Sequence, residues 1–256
     1  MHALGNDFMV IDCVNQQLQI SRENVVAWAQ RDTGVGFDQC LIVEPSRHAG
    51  LDFFYRIFNS NGQEVGQCGN GARCLARFIQ ARGLSDKKNI SVATRTTKLT
   101  LYLHDDGGVS VDMGIPSFVN EKNYRIQLAK CIKVYPVNIG NPHAVILVDD
   151  LSVANVHDDG QHISVHKLFP DQTNVEFMQI MSSNTIKLRV YERGCGETPA
   201  CGSGAVAAVV IGQKYYDLED RVTVQLPGGE LLVQKKNAGN MFLTGAATFV
   251  YDGIIS

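Results

Sequence analysis

Cys68-Gly69-Asn70-Gly71-Ala72 and Cys201-Gly202-Ser203-Gly204-Ala205 are nearly the same five residues, met twice in one chain. Each follows by twelve residues an Arg that opens an Arg-aliphatic-aromatic-polar run, Arg56-Ile57-Phe58-Asn59 and Arg189-Val190-Tyr191-Glu192, and each has a Glu four residues before its Cys, at Glu64 and Glu197. The register extends outward: Asn6 answers Asn141, Gln39 answers Asn174, Gly114 answers Gly245 and Phe118 answers Phe249. The offset drifts by a few residues, as loop insertions between two copies of one unit produce. Two homologous modules are therefore expected, 1–118 and 119–256, each supplying one Cys-Gly-x-Gly-Ala loop. Their crossing falls around 117–133, and a strand near 250–256 is expected to pack on the first module.

With 256 residues, 45% of them hydrophobic, the chain has enough apolar material for two modules of about 120 residues. A net charge of −3 leaves no electrostatic footprint for nucleic acid. There is no long apolar run to span a membrane, and Met1-His2-Ala3-Leu4-Gly5-Asn6 does not open like a signal peptide, so a cytoplasmic protein is expected. Seven cysteines is an odd count with no Cys-x-x-Cys pair, which argues against a disulfide framework and a structural zinc site; no metal is expected.

Strands are expected at 8–12, 40–44 and 52–58, with a helix from Ser21 to about Gln30, N-capped by Ser21. After Cys68, Ala72, Leu75, Ala76, Phe78 and Ile79 have helical spacing up to Gly83, followed by strands at 90–93, 99–103 and 109–113. The second half repeats the order: strands at 134–139 and 144–148, a helical stretch from Leu151, strands at 175–180 and 186–191, a helix after Cys201, and strands near Val222, Leu231 and Phe242. Each half is thus α+β, with many strands and two helices, one directly behind the Cys.

A Cys-Gly-x-Gly loop before a helix has a definite chemistry. The glycines let a ligand approach the backbone closely, and the free N–H groups and positive dipole end of the helix attract an anion such as a carboxylate. The same field is expected to lower the thiol from its ordinary pKa of about 8.5. Two such loops related by a pseudo-twofold axis can face one substrate across a cleft, one sulfur on each face of a carbon. That is the arrangement for removing a proton from one face and returning it on the other, with one thiolate and one thiol. Where the first half has Phe8 and Asn59, the second has His143 and Glu192, groups able to set a thiol's ionisation. Asn6, Gln39, Asn141 and Asn174 are amides, suited to a substrate bearing ammonium and carboxylate groups.

These residues resemble the diaminopimelate epimerases, cofactor-independent two-cysteine amino-acid epimerases. The likeness runs through Gly5-Asn6-Asp7-Phe8, Phe58-Asn59-Ser60-Asn61-Gly62, Gln67-Cys68-Gly69-Asn70-Gly71-Ala72-Arg73-Cys74, Gly140-Asn141-Pro142-His143, Tyr191-Glu192-Arg193-Gly194, Ala200-Cys201-Gly202-Ser203-Gly204 and Leu226-Pro227-Gly228-Gly229. It implies that Cys68 and Cys201 are the acid and base that interconvert the L,L and meso forms of 2,6-diaminopimelate, on the path to lysine and peptidoglycan, with His143 and Glu192 tuning them. It implies that the backbone of Gly69, Asn70, Gly202 and Ser203 holds the reacting α-carboxylate. Asn6, Gln39, Asn59, Asn141, Asn174, Glu192 and Arg193 would bind the rest of the substrate. It further implies a homodimer with Tyr251 at the contact, and modules that are each a mostly antiparallel barrel around a central helix. Family members usually carry several residues before the Met-His-x-Leu-Gly-Asn motif, and Cys195 and Pro199 depart from the usual pattern, Pro199 stiffening the approach to Cys201.

The remaining thiols, Cys13, Cys40, Cys74 and Cys131, read as small buried hydrophobes. Arg56 and Arg189 read as partners of core carboxylates and stay outside the expected site. His48, His104, His157, His162 and His166 read as surface residues. No Gly-Lys-Ser/Thr follows either loop, which disfavours a nucleotide phosphate cradle. Two other functions fit the loops: a racemase of proline or hydroxyproline, and a non-catalytic amino-acid-binding or thiol-redox module in which Cys68 and Cys201 are bonded.

Overall fold

A computed structural model of the chain describes residues 1–46, 48–66, 68–118 and 123–255. Gln67 of the first loop motif, residues 119–122 of the expected crossing and Ser256 lie outside the described residues. The chain divides into two compact units, Met1–Val111 with Gly245–Ser256, and Asp112–Thr244.

The first unit runs β1 (His2–Ala3), β2 (Asn6–Asp12), α1 (Arg22–Ala29), β3 (Gln39–Pro45), β4 (Phe53–Asn59), β5 (Glu64–Val65), α2 (Gly69–Ala81), β6 (Asn89–Ala93), β7 (Lys98–Leu103) and β8 (Val109–Asp112). Strand β2 lies parallel to β3, the crossover being α1, and β4 lies parallel to β6, the crossover carrying α2. The other pairings, β1–β2, β3–β4, β4–β5, β6–β7 and β7–β8, are antiparallel. Helix α1 starts where Ser21 and Asn24 form a reciprocal capping box, satisfying two backbone N–H groups that a helix start otherwise leaves open.

The second unit repeats this plan. It runs β9 (Tyr124–Gln127), β10 (Cys131–Asn138), β11 (Pro142–Leu147), α3 (Val156–Ser164), β12 (Asn174–Ser182), β13 (Thr185–Glu192), β14 (Gly196–Thr198), α4 (Gly202–Tyr215), β15 (Arg221–Leu226), β16 (Gly229–Lys235) and β17 (Met241–Gly245). Strand β11 is parallel to β12 and β13 to β15, with α3 and α4 in the crossovers. The registers match residue for residue: Phe8 faces Gln39 in one unit as His143 faces Asn174 in the other. Arg56 pairs with Glu64, and Arg189 with Glu197. Both pairs are about one-third exposed, and each is worth about 0–1 kcal/mol.

The sequence of α4 is apolar on nearly every side, and its residues from Ala205 to Ile211 are almost wholly buried. Such a helix has no solvent face, and the strands of its unit curl around it: α4 packs on β10, β11, β12, β13 and β16. Helix α2 likewise packs on β1, β2, β3 and β7, with Ala72, Cys74, Leu75, Ala76 and Ile79 buried. Both units are α+β barrel-like sheets around a central helix.

Several expectations need correction. Short strands β1, β5, β9 and β14 were not anticipated. The helix expected from Leu151 begins only at Val156, because the Asp150 carboxylate accepts a hydrogen bond from Ser152 N–H at 2.8 Å and turns the chain first. Residues 249–255 form no strand. They dock on the first unit through Phe249 stacked on Phe78 and Asp252 paired with Arg82, while Thr248 just before them bridges His2. Cys131 is exposed rather than buried.

Candidate functional site

Each unit places a cysteine as the N-cap of its central helix. Cys68 caps α2 and its sulfur accepts a hydrogen bond from Gly71 N–H at 3.3 Å; Cys201 caps α4 and lies 3.7 Å from the Ser203 hydroxyl. Gly69 and Asn70, and Gly202 and Ser203, form the first turns of the two helices, whose N–H groups have no partner further back in the helix. Gly5 and Gly140 both adopt left-handed φ values, 83° and 90°. This conformation favours glycine, and it turns the chain into Asn6 and Asn141.

Around Cys68 the floor is apolar. A Cβ added to Gly71 would meet Leu41 Cδ2 at 3.1 Å and Phe8 Cε1 at 3.3 Å. Tyr55 is fully buried nearby, and its hydroxyl has no partner among the described residues; burial, with the Cys68 charge adding to it, pushes the phenol up. The amides are oriented by one another. Asn6 Nδ2 donates to Asp38 Oδ2 at 2.8 Å, and Asp38 also accepts from Asp7 N–H and Arg31. Gln39 Nε2 donates to Asn59 Oδ1 at 2.8 Å, leaving Gln39 Oε1 buried without a partner among the described residues.

Around Cys201 the same floor is charged. A Cβ on Gly204 would meet Glu176 Oε1 at 2.9 Å: Glu176 and His143 stand where the first unit has Leu41 and Phe8. The side chains of both are fully buried, with His143 Nδ1 2.7 Å from Glu176 Oε1. His143 Nε2 lies 3.0 Å from Asn141 Oδ1, and Asn141 Nδ2 donates to Ser203 Oγ at 3.4 Å. A chain of polar contacts thus runs from Glu176 through His143, Asn141 and Ser203 to the Cys201 sulfur. Glu192 Oε1 accepts from Thr198 Oγ1 at 2.6 Å. Asn174 donates to Pro142 O and accepts from Arg193 N–H, while the Arg193 guanidinium donates to Asp171 O.

Burial raises Glu176, although His143 pulls it back, and burial also raises Glu192. Cys201 is pushed well up, first by burial and then by the negative charges of Glu192 and Glu176, against the opposing Gly204 N–H and Ser203 hydroxyl. This corrects the expectation that the helix field lowers both thiols: at Cys201, desolvation and two carboxylates outweigh it.

Cys68, Asn6, Gln39, Asn59, Gly69 and Asn70 lie in the first unit, and Cys201, His143, Glu192, Asn141, Asn174, Arg193, Gly202 and Ser203 in the second. Tyr251 stands apart on the docked segment, 61% exposed. Sequence reasoning missed Glu176, Tyr55 and Asp38. The signal for Glu176 was present, since it breaks an apolar strand at the position where the other copy has Leu41. Among the described residues no group of three or more His, Cys, Asp and Glu side chains could hold a metal, and no helix is long and apolar enough to cross a membrane.

Solved structures with this fold include a hydroxyproline epimerase from Agrobacterium vitis, TM-score 0.69 at 15% identity, covering 98% of this chain and 89% of that one. Another is a phenazine biosynthesis protein of the PhzF family from Bacillus anthracis, TM-score 0.71 at 17% identity, covering 98% and 93%. At such identities the likeness concerns the fold alone. Sequence carries more. Proteins named diaminopimelate epimerase from Legionella pneumophila strains Corby and Paris are each 49% identical over 100% of this chain and 97% of their own length. The family model described as diaminopimelate epimerase matches residues 1–119 and 135–250, and the chain belongs to the diaminopimelate epimerase family.

Proposed function

We propose that the chain interconverts L,L- and meso-2,6-diaminopimelate, Cys68 and Cys201 acting on opposite faces of one α-carbon. The observation that carries this reading is the duplicated cysteine at the N-cap of each central helix. One thiolate removes the α-hydrogen as a proton while the other thiol delivers its own to the opposite face; the two sulfurs end with exchanged protonation states, and no cofactor takes part. N–H groups at Gly69, Asn70, Gly202 and Ser203 receive the reacting α-carboxylate, whose negative charge grows as the carbon is deprotonated. Asn6, Gln39, Asn59, Asn141, Asn174, Glu192 and Arg193 bind the ammonium groups and the distant carboxylate. His143 and Glu192 set the ionisation of Cys201.

Two further readings accompany it. Among the described residues the seven cysteines form no disulfide, which suits a reducing, cytoplasmic compartment. Tyr251 and its exposed neighbours Val250 and Ile254 make an apolar face suited to a homodimer contact. The test of function is to incubate the reduced protein with L,L-diaminopimelate in deuterium oxide and follow it by NMR. The expected product is the meso isomer with deuterium at the inverted carbon. Inversion of proline with no action on diaminopimelate would overturn the substrate assignment.

A further inference from the structure

Arg73 is the largest wholly buried side chain of the molecule's described residues, with none of its surface exposed. It sits in the second turn of α2, close to the helix end that already carries positive partial charge, where a cation is unfavourable. Its guanidinium turns back toward the cap: it donates to Asn70 Oδ1 at 2.9 Å, to Gly69 O at 3.4 Å and, outside the helix, to Ala246 O at 3.4 Å. All three acceptors are neutral, and no salt bridge to a carboxylate forms among the described residues. Burial without a carboxylate lowers even this guanidinium to about 10. A buried charge left without a counter-charge is strongly unfavourable, so an anion near the first turn of α2 offsets a large penalty.

The group at that turn able to become an anion is Cys68. Arg73 interacts electrostatically with Cys68 and with Cys74, but Cys74 is itself buried and pushed up to about 12 by that burial, which keeps it a thiol. Tyr55 from β4 also faces Cys68 and is likewise held neutral by burial. Phe8 from β2 and Leu41 from β3 carry no charge. The second unit reverses each of these features. The residue matching Arg73 is Val206, and the residues beneath Cys201 are Glu176 and His143 rather than Leu41 and Phe8.

We propose that Arg73 is a positioning residue whose buried charge keeps Cys68 as the thiolate of the resting protein, so that Cys68 starts as the base and Cys201 as the acid. This rests on the two-thiol reading above, and it divides the labour between two loops of near-identical sequence. Because the guanidinium is wholly enclosed, it acts through space and through the first turn of α2 rather than by touching substrate.

The test is pH-dependent alkylation by iodoacetamide, with adducts at Cys68 and Cys201 quantified separately by peptide mass spectrometry. In the unsubstituted protein Cys68 is expected to react with a midpoint at least one pH unit below that of Cys201, giving about a tenfold larger thiolate fraction near neutrality. Arg73→Lys, which keeps the charge, should retain a low Cys68 midpoint; Arg73→Gln, which keeps hydrogen-bond donors without charge, should raise it by about one unit and slow alkylation near pH 7 about tenfold. A folded Arg73→Gln protein with an unmoved Cys68 midpoint overturns the proposal. Should Arg73→Gln fail to fold, the unsubstituted protein decides: a Cys68 midpoint equal to or above that of Cys201 overturns it. Alkylation reads the thiols whether or not the protein turns over diaminopimelate, so failure of the reaction and failure of this assignment are separate results.

Discussion

Alanine at the third position of each central helix should have different consequences in the two units. In an ordinary helix Gly→Ala is stabilising by about 0.5–1 kcal/mol. In Gly71→Ala the new methyl meets Leu41 Cδ2 at 3.1 Å and Phe8 Cε1 at 3.3 Å, apolar atoms that can yield by a few tenths of an ångström. Overpacking at the mild end, about 1 kcal/mol, leaves a net change near zero. In Gly204→Ala the methyl meets Glu176 Oε1 at 2.9 Å and Cγ at 3.3 Å. Glutamate tips usually swing aside, but this one is enclosed and held by His143 Nδ1 at 2.7 Å. Displacing it leaves a buried hydrogen bond unmade, about 1–3 kcal/mol. With mild overpacking added and helix propensity subtracted, the net loss is about 1–3 kcal/mol. Urea unfolding at fixed protein concentration measures this as a midpoint about 1 M lower at unchanged slope for Gly204→Ala, with little movement for Gly71→Ala. Equal midpoints in the two variants would refute the pinning of Glu176.

Cys68→Ala and Cys201→Ala should each abolish epimerisation with circular dichroism unchanged, since one sulfur cannot serve both faces; near-normal turnover in either variant ends the two-thiol scheme. Glu192→Gln should lower kcat more than it raises KM. It should also move alkylation of Cys201 to lower pH, because the Glu192 charge follows burial among the causes that raise that thiol; a move to higher pH contradicts this electrostatic account. Tyr55→Phe removes a buried hydroxyl with no partner among the described residues. Stability should stay level or rise by about 1 kcal/mol, and a comparable fall in the unfolding midpoint would mean that the hydroxyl is bonded in solution.

The duplication was legible because its marks are residue identities at a constant spacing: the two cysteine loops, the four amides and the Arg-Glu pairs occupy matching positions, and the strand registers repeat them. Strands β1 and β5, two residues each, were not legible, since two residues carry no periodicity. Glu176 was hidden by its setting: between Val175 and Phe177 a lone glutamate reads as the solvent side of a strand, whereas both faces of β12 are buried there. Arg73 was hidden in the same way, as a polar position outside the apolar spacing of Ala72, Leu75, Ala76, Phe78 and Ile79. Only the burial of every residue from Asn70 to Ala76, on all sides of the first two turns of α2, turns it into an isolated charge. Laying one half of the sequence on the other would have exposed both, because each is a charged residue opposite an aliphatic one, Leu41 and Val206.

The first unit is discontinuous in sequence, and that sets an order of events during synthesis. Residues 112–244 are contiguous, so the unit around Cys201 can close on its own segment as it emerges from the ribosome. The unit around Cys68 emerges first yet is completed last, because Ala246, Thr248, Phe249 and Asp252 supply contacts to Arg73, His2, Phe78 and Arg82. Until those residues appear, the helix behind Cys68 lacks part of its cover and its buried guanidinium one of its acceptors. A nascent chain therefore carries Cys68 on an unfinished support, and cysteine-labelling of stalled chains of increasing length would follow the moment at which that support closes.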